Sequence, residues 1–345
     1  MIKRIVKAGL FILVSLAILL SACAAQEPNL PGEEPQNLDI TILGFRAGTS
    51  MQLRADAIAE AIRIEYPSWK VSSLAPGGEA QLLDKRIAGK WDYLLTPYPR
   101  RLELEVHTPL HPEMDFARAT EYSFVMPTSP HYIQIFALGK TGLNAIRDIV
   151  DKKYPFKEGS GAGGARLLFT KLLEYYGTSF SEAEAWGASH EIVIVTTPAG
   201  VEALQTGRID IGLSWSGIPN PPLMGTTFDL KLLPIDDPGL VEIFESLGYY
   251  QAIIPAGTYP FVTEDVMTMA ETEFLAARPD VPEDVVYSTL KALFKNKYIL
   301  VAAHNDFGEE MKSEAIAETI AVVEKAGIAI HPGALKYYRE QGWID

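Results

Sequence analysis

The stretch Glu158-Gly-Ser-Gly-Ala-Gly-Gly-Ala165 leads without interruption into Arg166-Leu-Leu-Phe-Thr-Lys-Leu-Leu-Glu-Tyr-Tyr176, which Gly177 closes. Apolar residues recur at helical spacing after the glycines, and Ser160 is of a type that caps helix starts, so the pattern predicts a glycine-rich helix entrance. The unpaired amides and the positive dipole end of such an entrance favour a carboxylate or a phosphate. A plain loop-to-helix junction gives the same pattern, so this stretch alone leaves both interpretations open.

The same glycines also fit the spacing G-x-G-x-x-G of dinucleotide-binding proteins, through Gly159, Gly161 and Gly164. That fingerprint requires a hydrophobic strand directly before it. The preceding residues 151–157 are instead charged and contain a proline. We therefore predict no cofactor, and a dinucleotide-dependent enzyme is the alternative that stabilisation by NAD would support.

The N-terminal residues have the pattern of a secretion signal. Basic residues precede the apolar run Leu10–Leu20, which is shorter than the ~20 residues of a membrane span. The following Leu20-Ser-Ala-Cys23 resembles the bacterial lipoprotein cleavage box, which implies removal of residues 1–22 and lipid attachment to Cys23. This residue is the only cysteine, so no internal disulfide is possible. We expect an extracytoplasmic protein that a lipid on Cys23 anchors to the cell membrane; an uncleaved signal anchor is the alternative.

The remaining composition indicates a two-domain protein that does not bind nucleic acid. Residues 23–37 are polar and proline-rich, which predicts a flexible tether. About 310 residues then remain for folding, which is more than a single hydrophobic core usually serves, so we expect two domains. Without the three basic residues of the signal, 27 basic residues stand against 44 acidic ones. Nucleic acid phosphates require clustered lysine and arginine, whereas local helix ends still allow a small anionic ligand.

Strand and helix patterns follow one another twice in the same order after the tether. In each half a glycine turn meets a helix start, and a Gly-basic-x-Asp pattern then precedes a strand, as Gly89-Lys-Trp-Asp92 and Gly207-Arg-Ile-Asp210. Agreement in order and spacing predicts two α/β lobes of like topology that face one another across a ligand cleft. The predicted boundaries are 38–130 and 236–345 for lobe 1 and 131–235 for lobe 2.

These motifs together resemble those of the TAXI group of TRAP-transporter solute-binding proteins, over nearly the whole mature chain. The blocks that carry the resemblance are Gly44-Phe-Arg-Ala-Gly-Thr-Ser50, Pro76-Gly-Gly78, Gly159-Ser-Gly161, Gly207-Arg-Ile-Asp210, Ser216-Gly-Ile-Pro219, Ile254-Pro-Ala-Gly-Thr-Tyr259 and Ile330-His-Pro-Gly-Ala-Leu-Lys-Tyr-Tyr-Arg-Glu340. The resemblance implies a class II-like periplasmic binding protein fold, with two α/β lobes that close on a small organic anion. It also implies delivery of that anion to a membrane permease driven by an ion gradient.

The chain departs from the family pattern at all three glycine entrances. Here they read Ala47-Gly-Thr-Ser50, Gly77-Gly-Glu79 and Gly159-Ser-Gly-Ala162. The family usually has Gly-Gly-Thr-Tyr, Gly-Gly-Ser and Gly-Ser-Gly-Thr at these places. Glu79 would repel a second carboxylate or pair with an ammonium group, which favours an amino-acid-like or less charged ligand.

The predicted ligand-binding residues offer amides, hydroxyls or charged groups at strand ends and helix entrances. They are Arg46, Gly48, Thr49, Ser50, Gly78, Glu79, Thr96, Tyr98, Ser160, Gly161, Ala162, Arg166, Ser214 and Gly217. The two arginines suit a bidentate grip on a carboxylate. Each of these residues also has a plain alternative role as a helix cap, a loop residue or a solvated cation. Tyr259 is either a wall of the cleft or a structural residue in a tight turn.

Enzyme and metal motifs are incomplete in this sequence. Gly212-Leu-Ser-Trp-Ser216 has serine where the G-x-S-x-G elbow requires glycine. His107 and His111 are separated by Pro109 and belong to no metal-binding motif, and His331 lies in a turn. We predict a non-enzymatic protein without a metal.

The sequence therefore predicts a monomeric solute-binding lipoprotein that captures a small organic anion, namely a dicarboxylate, a keto acid or an amino acid. The resemblance implies that its partners are the membrane subunits of a TRAP-type permease. The alternative is a sensory module that presents the same loaded form to a membrane histidine kinase.

Overall fold

The computed structural model describes residue 35 and residues 37–77, 79–96, 121–161, 164–247, 249–325 and 327–345, apart from the side chains of residues 79 and 80. Several sequence predictions fall on other parts of the chain. Those outside the described residues are the signal segment, Cys23, most of the tether, Gly78, Tyr98, His107, His111 and Ala162. Among the described residues, no helix is long and apolar enough to cross a membrane.

Strands and helices alternate along most of the described chain. The strands are β1 (Asp39–Leu43), β2 (Lys70–Leu74), β3 (Tyr93–Thr96), β4 (Ser123–Leu138), β5 (Lys157–Ser160), β6 (Ser189–Ile192), β7 (Ile211–Ser216), β8 (Leu230–Leu233), β9 (Tyr250–Ile254) and β10 (Val266–Ala277). The α-helices are α1 (Ser50–Glu65), α2 (Glu79–Ala88), α3 (Arg147–Asp151), α4 (Gly164–Tyr175), α5 (Phe180–Glu184), α6 (Pro198–Gln205), α7 (Pro238–Ser246), α8 (Glu283–Lys295), α9 (Lys297–Ala303), α10 (Phe307–Glu310), α11 (Ser313–Lys325) and α12 (Pro332–Glu340). Short 3-10 turns occur at Gly139–Thr141 and Pro221–Gly225.

The strands form a ten-stranded sheet in the order β2-β1-β3-β10-β4-β7-β5-β6, with β8 on β4 and β9 on β10. One trio of parallel strands, β2-β1-β3, lies on one side, and a second trio, β6-β5-β7, lies on the other. Within each trio the first strand in sequence lies between the second and the third. The predicted α/β class is confirmed, and the two halves repeat one strand order.

Two long strands carry the chain between the two trios. β4 pairs with β10 over residues 123–132 and with β7 over residues 132–137. β10 pairs with β9 over residues 266–270 and with β3 over residues 274–277. Because both strands belong to both halves, any relative movement of the halves must bend or twist them where they cross.

The buried apolar side chains form three clusters. The first cluster draws on residues 40–126 and 274–338, and the second and third draw on residues 133–269. The sequence placed the return to the first lobe at residue 236, but Leu240, Phe244 and Tyr249 lie in the second cluster. Pairing of β8 with β4 and of β9 with β10 keeps this segment beside the second trio. The chain rejoins the first cluster only along β10.

The repeated Gly-basic-x-Asp pattern has the same structural role in both halves. The Asp92 carboxylate accepts a hydrogen bond from the Thr41 amide, and the Asp210 carboxylate accepts one from the Lys157 amide, both at 2.8 Å. The amide of each aspartate also donates to the carbonyl of the same partner at 2.9 Å. Each aspartate therefore fastens the third strand of its trio to the first. The pattern marks the pairing of these strands.

Replacing Asp92 or Asp210 by alanine is expected to lower the free energy of unfolding by about 1–2 kcal/mol in each case, because a partly buried backbone amide loses its acceptor. Urea unfolding of the two variants would measure this loss. Asp151→Ala, at an exposed position on α3, is the matched control and should change the midpoint little. Equal midpoints for all three variants would contradict the shared structural role.

Candidate functional site

The carboxyl ends of the two strand trios point at one another along β4. Thr96, at the end of β3, and Pro127 of β4 both pair with Phe274 of β10, so they lie at the same level of the sheet. Ser216, at the end of β7, pairs with Tyr132 of β4. β3 runs in the direction of β4 and β7 runs against it, so only residues 128–131 of β4 separate the two ends. At ~3.3 Å per residue this separation is roughly 16 Å. We call this separation the gap, with β4 residues 128–131 and β10 residues 271–273 as its floor.

Four helices begin at the strand ends that border the gap. α1 and α2 follow β1 and β2 on one side, and α4 and α6 follow β5 and β6 on the other. Each helix start carries partial positive charge from its backbone dipoles, which favours an anion within the first turn. The opposed strand ends agree with the two facing lobes that the sequence predicted. The meeting of the glycine entrances across the cleft and the individual ligand contacts stay predictions.

At the first entrance, Thr49 is the N-cap of α1. Its hydroxyl accepts from the Gln52 amide at 3.3 Å and donates to the Arg46 carbonyl at 2.7 Å, and its own amide donates to the same carbonyl at 3.1 Å. The preceding Gly48 has a φ of 83°, in the left-handed region. The polar groups of Thr49 are therefore used within the turn, which leaves the next amide, that of the exposed Ser50, as the better candidate for a ligand.

The two predicted arginines already have protein partners. Arg46 donates from Nε to the Gly77 carbonyl at 3.0 Å, which ties the first entrance to the second. Arg166 lies with Nη1 3.5 Å from a carboxylate oxygen of Glu158 and with its guanidinium 3.6 Å from the ring centre of Phe180. Burial lowers the pKa of Arg166. The contact of Arg46 uses only Nε, so its two Nη groups can still donate to a carboxylate, whereas a grip by Nη1 of Arg166 would compete with Glu158.

Two predicted hydroxyl residues end their strands in buried positions. Thr96 ends β3 with 1% exposure, and Ser160 ends β5 with none. Neither side-chain oxygen has a hydrogen-bond partner among the described residues. Gly161, which follows Ser160, is half-buried. These covered hydroxyls at opposing strand ends are the predicted polar groups that most need a partner.

The two predicted residues at the end of β7 lie beside the gap floor. The Ser214 hydroxyl is 3.1 Å from that of Ser216. Gly217 is buried, and a Cβ on it would lie 3.3 Å from the Ser129 hydroxyl and 3.6 Å from Asp306 Oδ2. The structure therefore brings Gly217 against residues of the other half, a contact that the sequence did not show.

The floor also carries a buried ion pair that sequence reasoning missed. Arg54 of α1 donates from Nε and Nη2 to the two carboxylate oxygens of Glu273 at 2.7 and 2.8 Å, and neither side chain is exposed. The Thr128 hydroxyl donates to Glu273 at 2.7 Å, and His131 Nε2 lies 3.2 Å from it. Burial raises the pKa of Glu273, but Arg54 and His131 more than offset this and hold it well below its ordinary value.

A second acidic group lies beside the floor. Ser129 donates its hydroxyl to Asp306 at 2.5 Å. Burial, and after it the charges of Asp306, Glu309 and Glu318, raises the pKa of Glu310 to about 7. Glu310 is therefore partly protonated near neutral pH, and an additional cation beside it would be stabilised.

The same carboxylates act on Tyr132, the residue level with the end of β7. Burial raises the pKa of this tyrosine, and the charges of Asp306 and Glu310 raise it further. Tyr250, at the start of β9, also has a raised pKa, from burial and from Glu310 among other charges. This border of the gap is acidic, in contrast with the positive helix starts.

Part of this chemistry was visible in the sequence. Arg54 lies on the apolar stripe of α1, one helical turn from the buried Met51 and Ile58, and a charge on such a stripe indicates a buried ion pair. Glu271 and Glu273 are two positions apart, on one face of β10, which is otherwise mainly apolar. What the sequence could not show is which acid meets the arginine, because 219 positions separate Arg54 from Glu273.

Gly159 of the glycine fingerprint and His331 have structural roles. A Cβ on Gly159 would lie 2.5 Å from Ile209 and 2.8 Å from Val193, so this glycine allows close packing of β5. His331 accepts from the Gly333 amide at 3.2 Å as the N-cap of α12. Among the described residues, no group of three or more potential ligating side chains could hold a metal ion.

Comparison with known proteins places the chain in a family. Residues 106–342 match the family model described as NMT1-like, so the chain belongs to the NMT1-like family. Solved structures with a similar fold include the periplasmic binding protein BugD, at 16% identity and a TM-score of 0.45, covering 85% of this chain and 98% of that one. MatC from Rhodopseudomonas palustris with bound malate has 14% identity and a TM-score of 0.49, covering 84% and 96%. The aliphatic sulphonate-binding protein SsuA from Escherichia coli has 13% identity and a TM-score of 0.43, covering 88% and 79%.

BugD and SsuA are named as periplasmic binding proteins, and at these identities the likeness concerns the fold alone. The α/β class that the sequence predicted is confirmed by the sheet and its helices.

Proposed function

We propose that this chain is an extracytoplasmic solute-binding lipoprotein that captures a small organic anion in the gap and delivers it to a TRAP-type permease. Its motifs resemble those of the TAXI group of such proteins, and Cys23 is the proposed lipid anchor. The observation that carries the proposal is the opposition of the two strand trios, whose carboxyl ends face one another across residues 128–131. A solute between them would meet helix starts from both halves.

The charges around the gap favour a ligand with an ammonium group as well as a carboxylate. Helix starts and the covered hydroxyls of Thr96 and Ser160 suit the carboxylate. Asp306 and Glu310 border the floor and would stabilise a cation. A dicarboxylate would place its second negative charge beside these acids. Among the predicted ligand classes, we therefore favour an amino acid over a dicarboxylate.

Delivery requires that the permease distinguish the loaded protein from the empty one. In this proposal the two halves close over the solute by bending β4 and β10 where they cross, which removes the solute from water and fixes the relative position of both surfaces. The permease then recognises the closed form. Binding itself makes and breaks no covalent bond.

A thermal-shift screen of the chain from Cys23 onward would test the ligand class. At about 100 times its dissociation constant, a ligand stabilises the folded form by about 2.7 kcal/mol, which should raise the melting temperature by roughly 5 °C. We expect L-amino acids to give this shift, malate and 2-oxoglutarate to give less, and NAD to give none. A shift with a neutral sugar and with none of the carboxylates would contradict the proposed function.

A further inference from the structure

Tyr259 makes a complete set of hydrogen bonds from a fully buried position in the second half. Its hydroxyl donates to Gln134 Oε1 at 2.7 Å and accepts from the Asn220 amide at 3.1 Å and from Asn220 Nδ2 at 2.9 Å. One donor and two acceptor positions exhaust the capacity of a phenol. Such a saturated buried hydroxyl fixes its partners more firmly than a single contact would.

The partners of Tyr259 in turn hold the start of the loop that follows β7. Gln134 donates from Nε2 to the carbonyl and the hydroxyl of Ser216, at 3.3 and 3.1 Å. Asn220 Nδ2 also donates to the Ser216 hydroxyl at 3.2 Å. Ser216 and Asn220 are therefore joined through one network, and residues 217–219 span the short distance between them.

This loop touches the other half of the molecule. Gly217 lies so close to Ser129 and Asp306 that a Cβ on it would be 3.3 Å from the Ser129 hydroxyl and 3.6 Å from Asp306 Oδ2. Asp306 directly precedes α10, whose Phe307 belongs to the first cluster. The loop is thus fixed on one side by the Tyr259 network and meets the opposite side of the gap on the other.

We propose that Tyr259 is a positioning residue, whose hydroxyl holds the loop 217–220 in the place where the two halves meet over the solute. This inference rests on the proposed solute-binding function. The tyrosine touches no solute itself and acts through Gln134 and Asn220. The proposed role also explains why the block Ile254-Pro-Ala-Gly-Thr-Tyr259 ends in a residue with a hydroxyl group, which packing of the turn alone would not require.

The aromatic ring and the hydroxyl have separable roles. The ring stacks on Phe261, with centroids 5.2 Å apart and planes 4° from parallel. Tyr259→Phe keeps this packing and removes only the hydroxyl. The matched control is Tyr338→Phe, because Tyr338 is also fully buried and donates its hydroxyl to the Val125 carbonyl at 2.6 Å in the first cluster, where it has no contact with the loop.

Hydrogen exchange of the chain from Cys23 onward tests the inference without any ligand. In Tyr259→Phe we expect the amides of Gly217, Ile218 and Asn220 to exchange at least about tenfold faster than in the unaltered protein. Tyr338→Phe should lower the melting temperature by a similar amount but leave the exchange of these amides unchanged. Unchanged exchange in this loop in Tyr259→Phe would overturn the inference. So would faster exchange spread evenly over the second half, because that would show a general loss of packing.

Titration with L-alanine separates this inference from the proposed function. If the unaltered protein binds this probe, Tyr259→Phe should weaken binding by about tenfold and Tyr338→Phe by much less. Equal weakening in both variants would overturn the positioning role. If neither L-alanine nor any other amino acid binds the unaltered protein, the proposed ligand class fails, and the exchange experiment still decides the role of Tyr259.

Discussion

Replacing Arg54 by methionine is expected to lower the free energy of unfolding by about 3–5 kcal/mol, because it leaves the Glu273 carboxylate buried without its cation. Both side chains are fully covered, and two hydrogen bonds of 2.7 and 2.8 Å join them. Water cannot replace the lost guanidinium at such a position. Chemical denaturation followed by circular dichroism would measure the loss, and the unfolding slope should stay the same.

Arg63→Met is the matched control, because Arg63 lies on the same helix and pairs with Glu60 at a similar distance of 2.8 Å but with side chains 42% and 49% exposed. An exposed pair contributes at most about 1 kcal/mol. The double variant Arg54→Met/Glu273→Met should recover most of the loss of the single variant, since it removes both buried charges. A loss in Arg54→Met no larger than that in Arg63→Met would refute this account.

The same ion pair predicts a dependence of stability on pH. The pKa of Glu273 is lowered in the folded protein, so its contribution is present above its unfolded value and is lost as the pH falls below about 4.5 toward the folded value. Arg54→Met removes the attraction that lowers this pKa. The variant should therefore lose less stability than the unaltered protein when both are acidified.

The repeated order of the two halves could be predicted from the sequence because its causes are local. The Gly-basic-x-Asp pattern recurs since Asp92 and Asp210 each fasten a third strand to a first strand, by the same pair of hydrogen bonds. Glycine turns before helices likewise reflect local backbone geometry. The recurrence of this local pattern in the sequence thus indicated that the two halves of the fold share one topology.

The side-chain partners within the gap could not be predicted, because they depend on long-range pairing. Arg166 looks like a free cation in the sequence, but it contacts Glu158 and Phe180 in the structure. The insertion of β10 between β3 and β4 brings Glu273 to Arg54 from the far end of the chain. The predicted boundary at residue 236 was wrong for the same reason, because only the pairing of β8 with β4 and of β9 with β10 decides to which half this segment belongs.

Replacing Glu310 by glutamine is expected to stabilise the empty protein by roughly 2–3 kcal/mol near pH 8, because it removes a negative charge that burial and Asp306, Glu309 and Glu318 disfavour. The folded pKa of about 7 lies above the ordinary value of 4.5. The folded form therefore holds its proton over a range in which the unfolded form has lost it, and stability falls as the pH rises between these values. Thermal unfolding between pH 4.5 and 8 would show this fall in the unaltered protein and its absence in the variant.

Glu324→Gln, at an exposed position on α11, is the control and should leave the pH profile unchanged. If Glu310→Gln shows the same fall in stability as the unaltered protein, another group is responsible for it. A residue that destabilises the empty protein is typical of a binding site, where a charge without a partner awaits its ligand.

The same variant should therefore show the opposite effect on binding of an amino acid. Under the proposed function, the ammonium group of L-alanine would lie beside Glu310, so Glu310→Gln should weaken its binding by about tenfold near pH 8, where the native side chain is ionised. Malate has no ammonium group and should bind the variant at least as well as it binds the unaltered protein. A variant that is more stable but binds L-alanine unchanged would show that this carboxylate lies outside the solute site.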